Sequence, residues 1–118
     1  MAFLNALIAF IVTIGVLVTV HEFGHFWVAK KLGIKVLRFS VGFGKILKSW
    51  QIGETQYTLC ALPLGGFVKM LDENEGEVNS SEKHRAFNTQ TVYKRIAVVV
   101  AGPAANFILA IIIYTVIF

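Results

Sequence analysis

A single cysteine, Cys60, stands among the 118 residues, so no internal disulfide can form and a small stapled fold is excluded. The plain reading of Cys60 is a small buried hydrophobe. Charge is also scarce. Only 15% of residues are charged, where a soluble domain carries about one-quarter. Apolar residues make up 56% and the mean hydropathy is +0.69, which places the chain with membrane proteins. No basic residue precedes Lys30 and none follows Arg95. A cation-free start with no small-residue cleavage site excludes a secretory signal peptide. The net charge of +4 is therefore concentrated in the middle of the chain. Beside two apolar ends it points to anionic lipid head groups, and nothing in it asks for nucleic acid. No internal repeat or low-complexity tract is present.

What the chain does have is two runs long enough to cross a bilayer. Ala2 to Val20 is broken only by Asn5, Thr13, Gly15 and Thr19, and stays largely apolar through Ala29. Ile96 to Phe118 adds a second run. At 1.5 Å per residue, about 20 residues cross the hydrocarbon layer. Lys30-Lys31 and Lys94-Arg95 then face the cytoplasm, and the amino terminus lies outside. Thr89 or Thr91 can cap the second helix. The run stops at Phe118 without a flanking charge, so the chain is expected to be the amino-terminal piece of something longer.

Between the runs the character changes. Glycines punctuate residues 32–71, and helical periodicity is lost. Val36 to Val41 and Thr55 to Leu62 read as strands. Gly53-Glu54 reads as the turn of a hairpin from Lys48–Ile52 into Thr55–Tyr57. Pro63 is expected to end the second strand, with Leu64 to Val68 a further short extended piece. Strands this apolar and this glycine-rich suit a hairpin dipping into the bilayer edge, which requires protein or a water-filled cavity beside it. The expected architecture is a mainly α membrane protein: a transmembrane helix (1–31), a re-entrant β region (32–71), a polar cytoplasmic loop (72–88) and a second transmembrane helix (89–118). Asp72 to Glu82 is a solvated acidic stretch, and no spacing makes Asp72 a metal ligand.

The chemistry lies in His21-Glu22-Phe23-Gly24-His25. On a helix, residues four apart share a face, so both imidazoles can reach one cation. Glu22 lies on the adjacent line, within reach of a water on that cation. H-E-x-x-H in this setting is a zinc-binding pair with a general base. A chance match on a core helix is the bland alternative, but three ionisable groups at membrane depth need a partner such as Zn2+. His25 lies roughly 7–8 Å along the axis from Lys30, with His21 about one turn deeper. Gly24 leaves that helix face slim, either for a substrate backbone or for close helix packing. In the second run, Pro103 cannot donate to the Val99 carbonyl, which then needs another partner. Gly102, Asn106 and Ala110 share a narrow face suited to packing on the first helix. Asn106, with Gly102, is also a candidate for binding a substrate backbone, although helix glue is the simpler reading.

Four motifs in order, His21–Trp27, Phe39–Gly44, Pro63–Met70 and Ala101–Phe107, resemble the start of a bacterial site-2 protease, an intramembrane zinc metalloprotease of the M50 type. The resemblance covers essentially the whole chain. It implies that His21 and His25 bind Zn2+, that Glu22 is the catalytic acid/base, and that Leu37–Met70 includes a membrane-re-entrant β-hairpin. It also implies single-pass membrane substrates such as an anti-sigma factor, in the regulated intramembrane proteolysis of a bacterial inner membrane. Family members carry PDZ modules and later spans, one of which supplies an aspartate as third zinc ligand. That aspartate has no counterpart here, so the piece by itself is expected to be inactive without the rest of the protease chain. Two other readings stand beside this one. A non-catalytic membrane binding or assembly module would hold a structural metal or none. A metal transporter would want ligands spread over several spans, and the second run offers only Asn106.

Overall fold

A computed structural model describes all residues 1–118. Helix α1 (Ala2–Lys31) and helix α2 (Val92–Ile117) are joined by a long two-stranded unit, β1 (Val36–Ile52) and β2 (Thr55–Met70), and by two short 3-10 turns at Lys83–Arg85 and Phe87–Thr89. The helices are about 45 Å and 39 Å long at 1.5 Å per residue. Both are long and apolar enough to cross a membrane. They are not core helices of this chain. None of the most apolar stretch of α1 and only 11% of that of α2 is buried within the chain. Ile, Leu, Val and Phe side chains cover both outer surfaces.

The core is small and sits at the inner end of α1. Ala29, Ile34, Val36 and Val98 are buried there, flanked by Phe26, Val68 and Phe87. Lys30 and Lys31 close this end, each lying over an aromatic ring of α1, Phe26 at 5.5 Å and Trp27 at 5.4 Å. Thr91 rather than Thr89 caps α2, accepting from the Lys94 amide at 3.4 Å. Thr89 instead lies in the preceding 3-10 turn.

The β region is more continuous than its sequence suggests. Each strand bends, and its two halves take different places in the sheet. Residues 46–52 pair antiparallel with 55–60, residues 55–60 run parallel beside 36–41, and 36–41 pair antiparallel with 66–70. Four rows thus lie in the order 46–52, 55–60, 36–41, 66–70. The corner in β1 falls at Gly42 and Gly44, both with positive φ (78° and 87°) that a side chain would resist. The turn between the strands is at Gly53, as expected (φ 61°). Pro63 does not end β2. The register passes from Leu62 to Gly66 without partners between them, so the missing N–H of Pro63 falls in an unpaired bend and costs no ladder bond. A buried contact between Ser40 Oγ and Cys60 Sγ at 3.6 Å joins the central rows, as expected for a cysteine used as packing.

This sheet lies along α1. A methyl group added at Gly15 would meet the Pro63 carbonyl oxygen at 3.0 Å, and one at Gly66 would lie 3.7 Å from Glu22 Cγ. Residues 63–66 therefore run beside residues 15–22, in the same direction. The outer row 66–70 begins against the helix turn that carries Glu22.

Candidate metal centre

His21 and His25 converge as the helical spacing requires. Their Nε2 atoms are 3.1 Å apart and the rings meet edge to face. The orientation of His25 is fixed from outside the helix. Its Nδ1–H donates to the backbone carbonyl oxygen of Val98 in α2 at 2.6 Å. A carbonyl can only accept, so the proton is on Nδ1 and the Nε2 lone pair is free to face a metal. The Val99 carbonyl is the one Pro103 leaves without its helical donor, yet the site uses its neighbour Val98. The reason is position: Val98 is buried against α1, whereas Val99 points outward.

The donor set fits zinc. Two imidazole nitrogens, each about 2.0–2.1 Å from a tetrahedral zinc, stand about 3.3 Å apart, close to the separation found. Space has been kept for an ion as well. A methyl group at Gly102 would lie 2.5 Å from His25 Nε2 and 2.7 Å from His21 Nε2, in the room that a cation shared by both nitrogens needs. Gly102 is thus the floor of the site, and its glycine is required by the imidazoles. No third His, Cys, Asp or Glu joins the pair within this chain. Asp72 lies elsewhere, lining a cavity with Arg38 and Glu75.

The helix contact that supports the site also departs from the expected face. Gly24 is buried, and a methyl there would meet the Ala101 carbonyl oxygen at 2.3 Å and Ala105 Cβ at 2.8 Å. Of the two uses open to Gly24, close helix packing is the one realised. The stripe on α2 that receives α1 is therefore Ala101, Gly102 and Ala105, and Ala110 is exposed. Asn106 is half-buried one turn beyond Gly102, with its Oδ1 buried and unpaired. Sequence reasoning missed the Val98 carbonyl, because a backbone acceptor leaves no mark in residue identity. It also missed the clearance role of Gly102, whose one signal is a glycine in the middle of an apolar helix.

Outside the helices, the hairpin tip is tied to the loop before α2. Arg85 donates to both carboxylate oxygens of Glu54, one bond through Nη1 at 2.9 Å. That hydrogen bonding, assisted by the charge of Arg85, holds the Glu54 carboxyl below its usual range and raises Arg85. Lys35 bonds Glu82 at 2.7 Å beside it.

The chain is similar in sequence to known proteins along its length. Residues 9–118 match peptidase family M50. The chain is 51% identical to "Protease RseP" of Yersinia pestis and 52% identical to "Regulator of sigma-E protease RseP" of Escherichia coli K12, each across all of this chain and 26% of the relative. A "Putative zinc metalloprotease" of Xylella fastidiosa is 50% identical over 98% of this chain and 26% of its own length. The chain spans about a quarter of the length of these relatives.

Proposed function

Since the chain belongs to peptidase family M50, we propose that it is the zinc-binding, membrane-embedded amino-terminal part of a site-2 protease. The observation that carries this is the convergence of His21 and His25 over the space kept by Gly102, with His25 locked by Val98. His21 and His25 hold the ion, and a third ligand comes from the rest of the protease chain. When bound, zinc supplies a Lewis acid and a water acidic enough to attack at neutral pH. Glu22 takes the proton of the attacking water and delivers it to the leaving amine nitrogen. Asn106, with its unpaired Oδ1 one turn from Gly102, accepts from a substrate backbone N–H. Gly102 itself contributes clearance.

The bilayer placement follows from the exposed apolar helices, with α1 and α2 as the spans of a bacterial inner-membrane protein. Lys30-Lys31 and Lys94-Arg95 lie at the cytoplasmic face, and the amino terminus is periplasmic. Residues 63–66 then re-enter the membrane beside α1. A transmembrane substrate must unwind before its peptide bond can be reached. The outer row 66–70 starts beside Glu22 and offers an unpaired strand edge to receive an extended segment. Substrates are single-pass membrane proteins, with an anti-sigma factor as the type.

The test uses the full-length protein. Glu22→Gln should abolish cleavage of a transmembrane substrate while one zinc per chain is retained, and His25→Ala should lose both. Cleavage by Glu22→Gln would remove Glu22 from the chemistry. A full-length protein without zinc would favour the non-catalytic membrane module.

A further inference from the structure

The largest cavity in the chain is not at the histidines. About 610 Å³ in volume, it is bounded by Arg38, Lys69, Asp72 and Glu75, with Phe67 and Phe87 among its apolar walls. That is within the range of small-ligand sites, about 300–1,000 Å³. Its four charged groups do not satisfy one another. The ion pairs of the chain are Lys35–Glu82, Lys83–Glu73, Arg85–Glu54 and Arg85–Glu82, and none involves a charged residue of this cavity. Asp72 receives only the Asn74 amide, at 2.8 Å. Arg38 is the most demanding of the four. Its guanidinium lies 5.6 Å from the centre of the Phe67 ring, and its Nε–H is buried without an acceptor. A buried donor of a charged group left unsatisfied is costly, so an anionic oxygen belongs beside it.

The charges are arranged in two signs. Arg38, on an inner row of the sheet, and Lys69, on the outer row 66–70, are cross-strand partners. Asp72 and Glu75 follow where the chain leaves β2. A simple anion would meet the cations but be repelled by the carboxylates. A simple cation would meet the reverse. A ligand bearing both signs a few bonds apart satisfies all four. The position narrows it further. Val36 and Met70, paired at this end of the sheet, pack on the small core beneath Lys30-Lys31, at the level where head groups lie in the proposed membrane placement. We propose that this cavity binds the head group of a zwitterionic aminophospholipid, its phosphate against Arg38 and Lys69 and its ammonium against Asp72 and Glu75. Phe67 and Phe87 face the glycerol end. The proposal rests on the membrane placement above, and its test reads lipid retention rather than cleavage.

The test is native mass spectrometry of the delipidated full-length protein in detergent. It is titrated separately with dioleoylphosphatidylethanolamine, dioleoylphosphatidylglycerol, dioleoylphosphatidylcholine, soluble phosphoethanolamine and inorganic phosphate, with zinc content as a folding control. Phosphatidylethanolamine should be retained in preference to the others, since phosphatidylcholine has no N–H to donate and phosphatidylglycerol no cation. Loss of one charge-assisted hydrogen bond should weaken retention about tenfold in Arg38→Gln or in Lys69→Gln. Lys69 is exposed, so its variant tests the site even where Arg38→Gln disturbs the sheet. Glu75→Gln should lower phosphatidylethanolamine retention and raise that of phosphatidylglycerol. Lys48→Gln, on the opposite outer row 46–52, should change nothing. Unchanged retention in Lys69→Gln, or an equal loss in Lys48→Gln, would overturn the proposal. So would phosphate or phosphoethanolamine binding as tightly as the lipid. The cleavage tests above fail or succeed separately from these readouts.

Discussion

The helix pair and the β region both need close approach of backbone, and the β region needs positive φ as well. Between α1 and α2, glycine serves as absence. Gly24 admits the Ala101 carbonyl and Ala105, and Gly102 leaves room for two imidazoles. Neither has an unusual backbone, and each would be an ordinary helical residue if its neighbour were removed. In the β region, glycine serves as conformation. Gly42 and Gly44 turn a corner at positive φ, which lets one strand occupy two places in the sheet. Substitutions should therefore fail by clash alone in the first region, and at Gly42 by backbone strain added to a clash with the Leu62 carbonyl oxygen at 2.6 Å. The first failure reaches the chemistry directly.

The sharpest way to break this contrast is Gly102→Ala in the full-length protein. The added methyl falls 2.5 Å from His25 Nε2, so zinc occupancy should collapse and kcat/KM should fall by roughly 100-fold or more, beyond the usual cost of disturbing groups around a metal. Zinc stoichiometry and a cleavage assay check it, and normal zinc with normal activity would show that the helices move apart freely. Gly24→Ala should act through packing. Overpacking costs about 1–3 kcal/mol, seen as a lower Tm, with zinc retained at reduced affinity. Gly42→Ala should cost about 1–2 kcal/mol as an L-residue forced to positive φ, and more because its methyl would lie 2.6 Å from the Leu62 carbonyl oxygen. It should appear as faster hydrogen exchange in 36–46 with zinc unchanged.

The smallest effect is expected at the hairpin tip. Arg85 holds the Glu54 carboxyl below its usual range. A carboxylate depressed in the fold contributes stability that is present above its unfolded value and is lost as pH falls through the folded value. Protection of residues 51–56 from hydrogen exchange should therefore be constant near neutrality and decline in acid. Glu54→Gln should remove that acid-linked decline. Both side chains are about one-third exposed, and surface pairs contribute about 0–1 kcal/mol, so Tm should scarcely move. Zinc content should not move at all, because the tip lies in a different region from the histidines.

The convergence of the two imidazoles was legible because helical geometry is local. His21 and His25 share a face whatever the rest of the chain does. The two long apolar helices were legible for the same reason, since length and hydropathy belong to the segments themselves. Asn106 was marked as a candidate, and the structure adds only that its Oδ1 lacks a partner. The continuous strands were less legible. Pro63 reads as a terminator when considered locally, and only the register shows that it occupies an unpaired bend. The face of α2 was also misplaced: four-residue spacing marks Gly102, Asn106 and Ala110, whereas the contact runs through Ala101, Gly102 and Ala105.

The sequence by itself determined two helices long and apolar enough to span a bilayer, a glycine-rich β segment between them, and two imidazoles able to share an ion. Each of these depends on residues within a turn or a strand of one another. Only the tertiary structure decided that Val98 fixes the His25 tautomer, that Gly102 underlies the metal space, and that Arg38 lies unpaired in a cavity of mixed charge. Those depend on segments tens of residues apart, and which backbone atoms meet across such distances is set by packing.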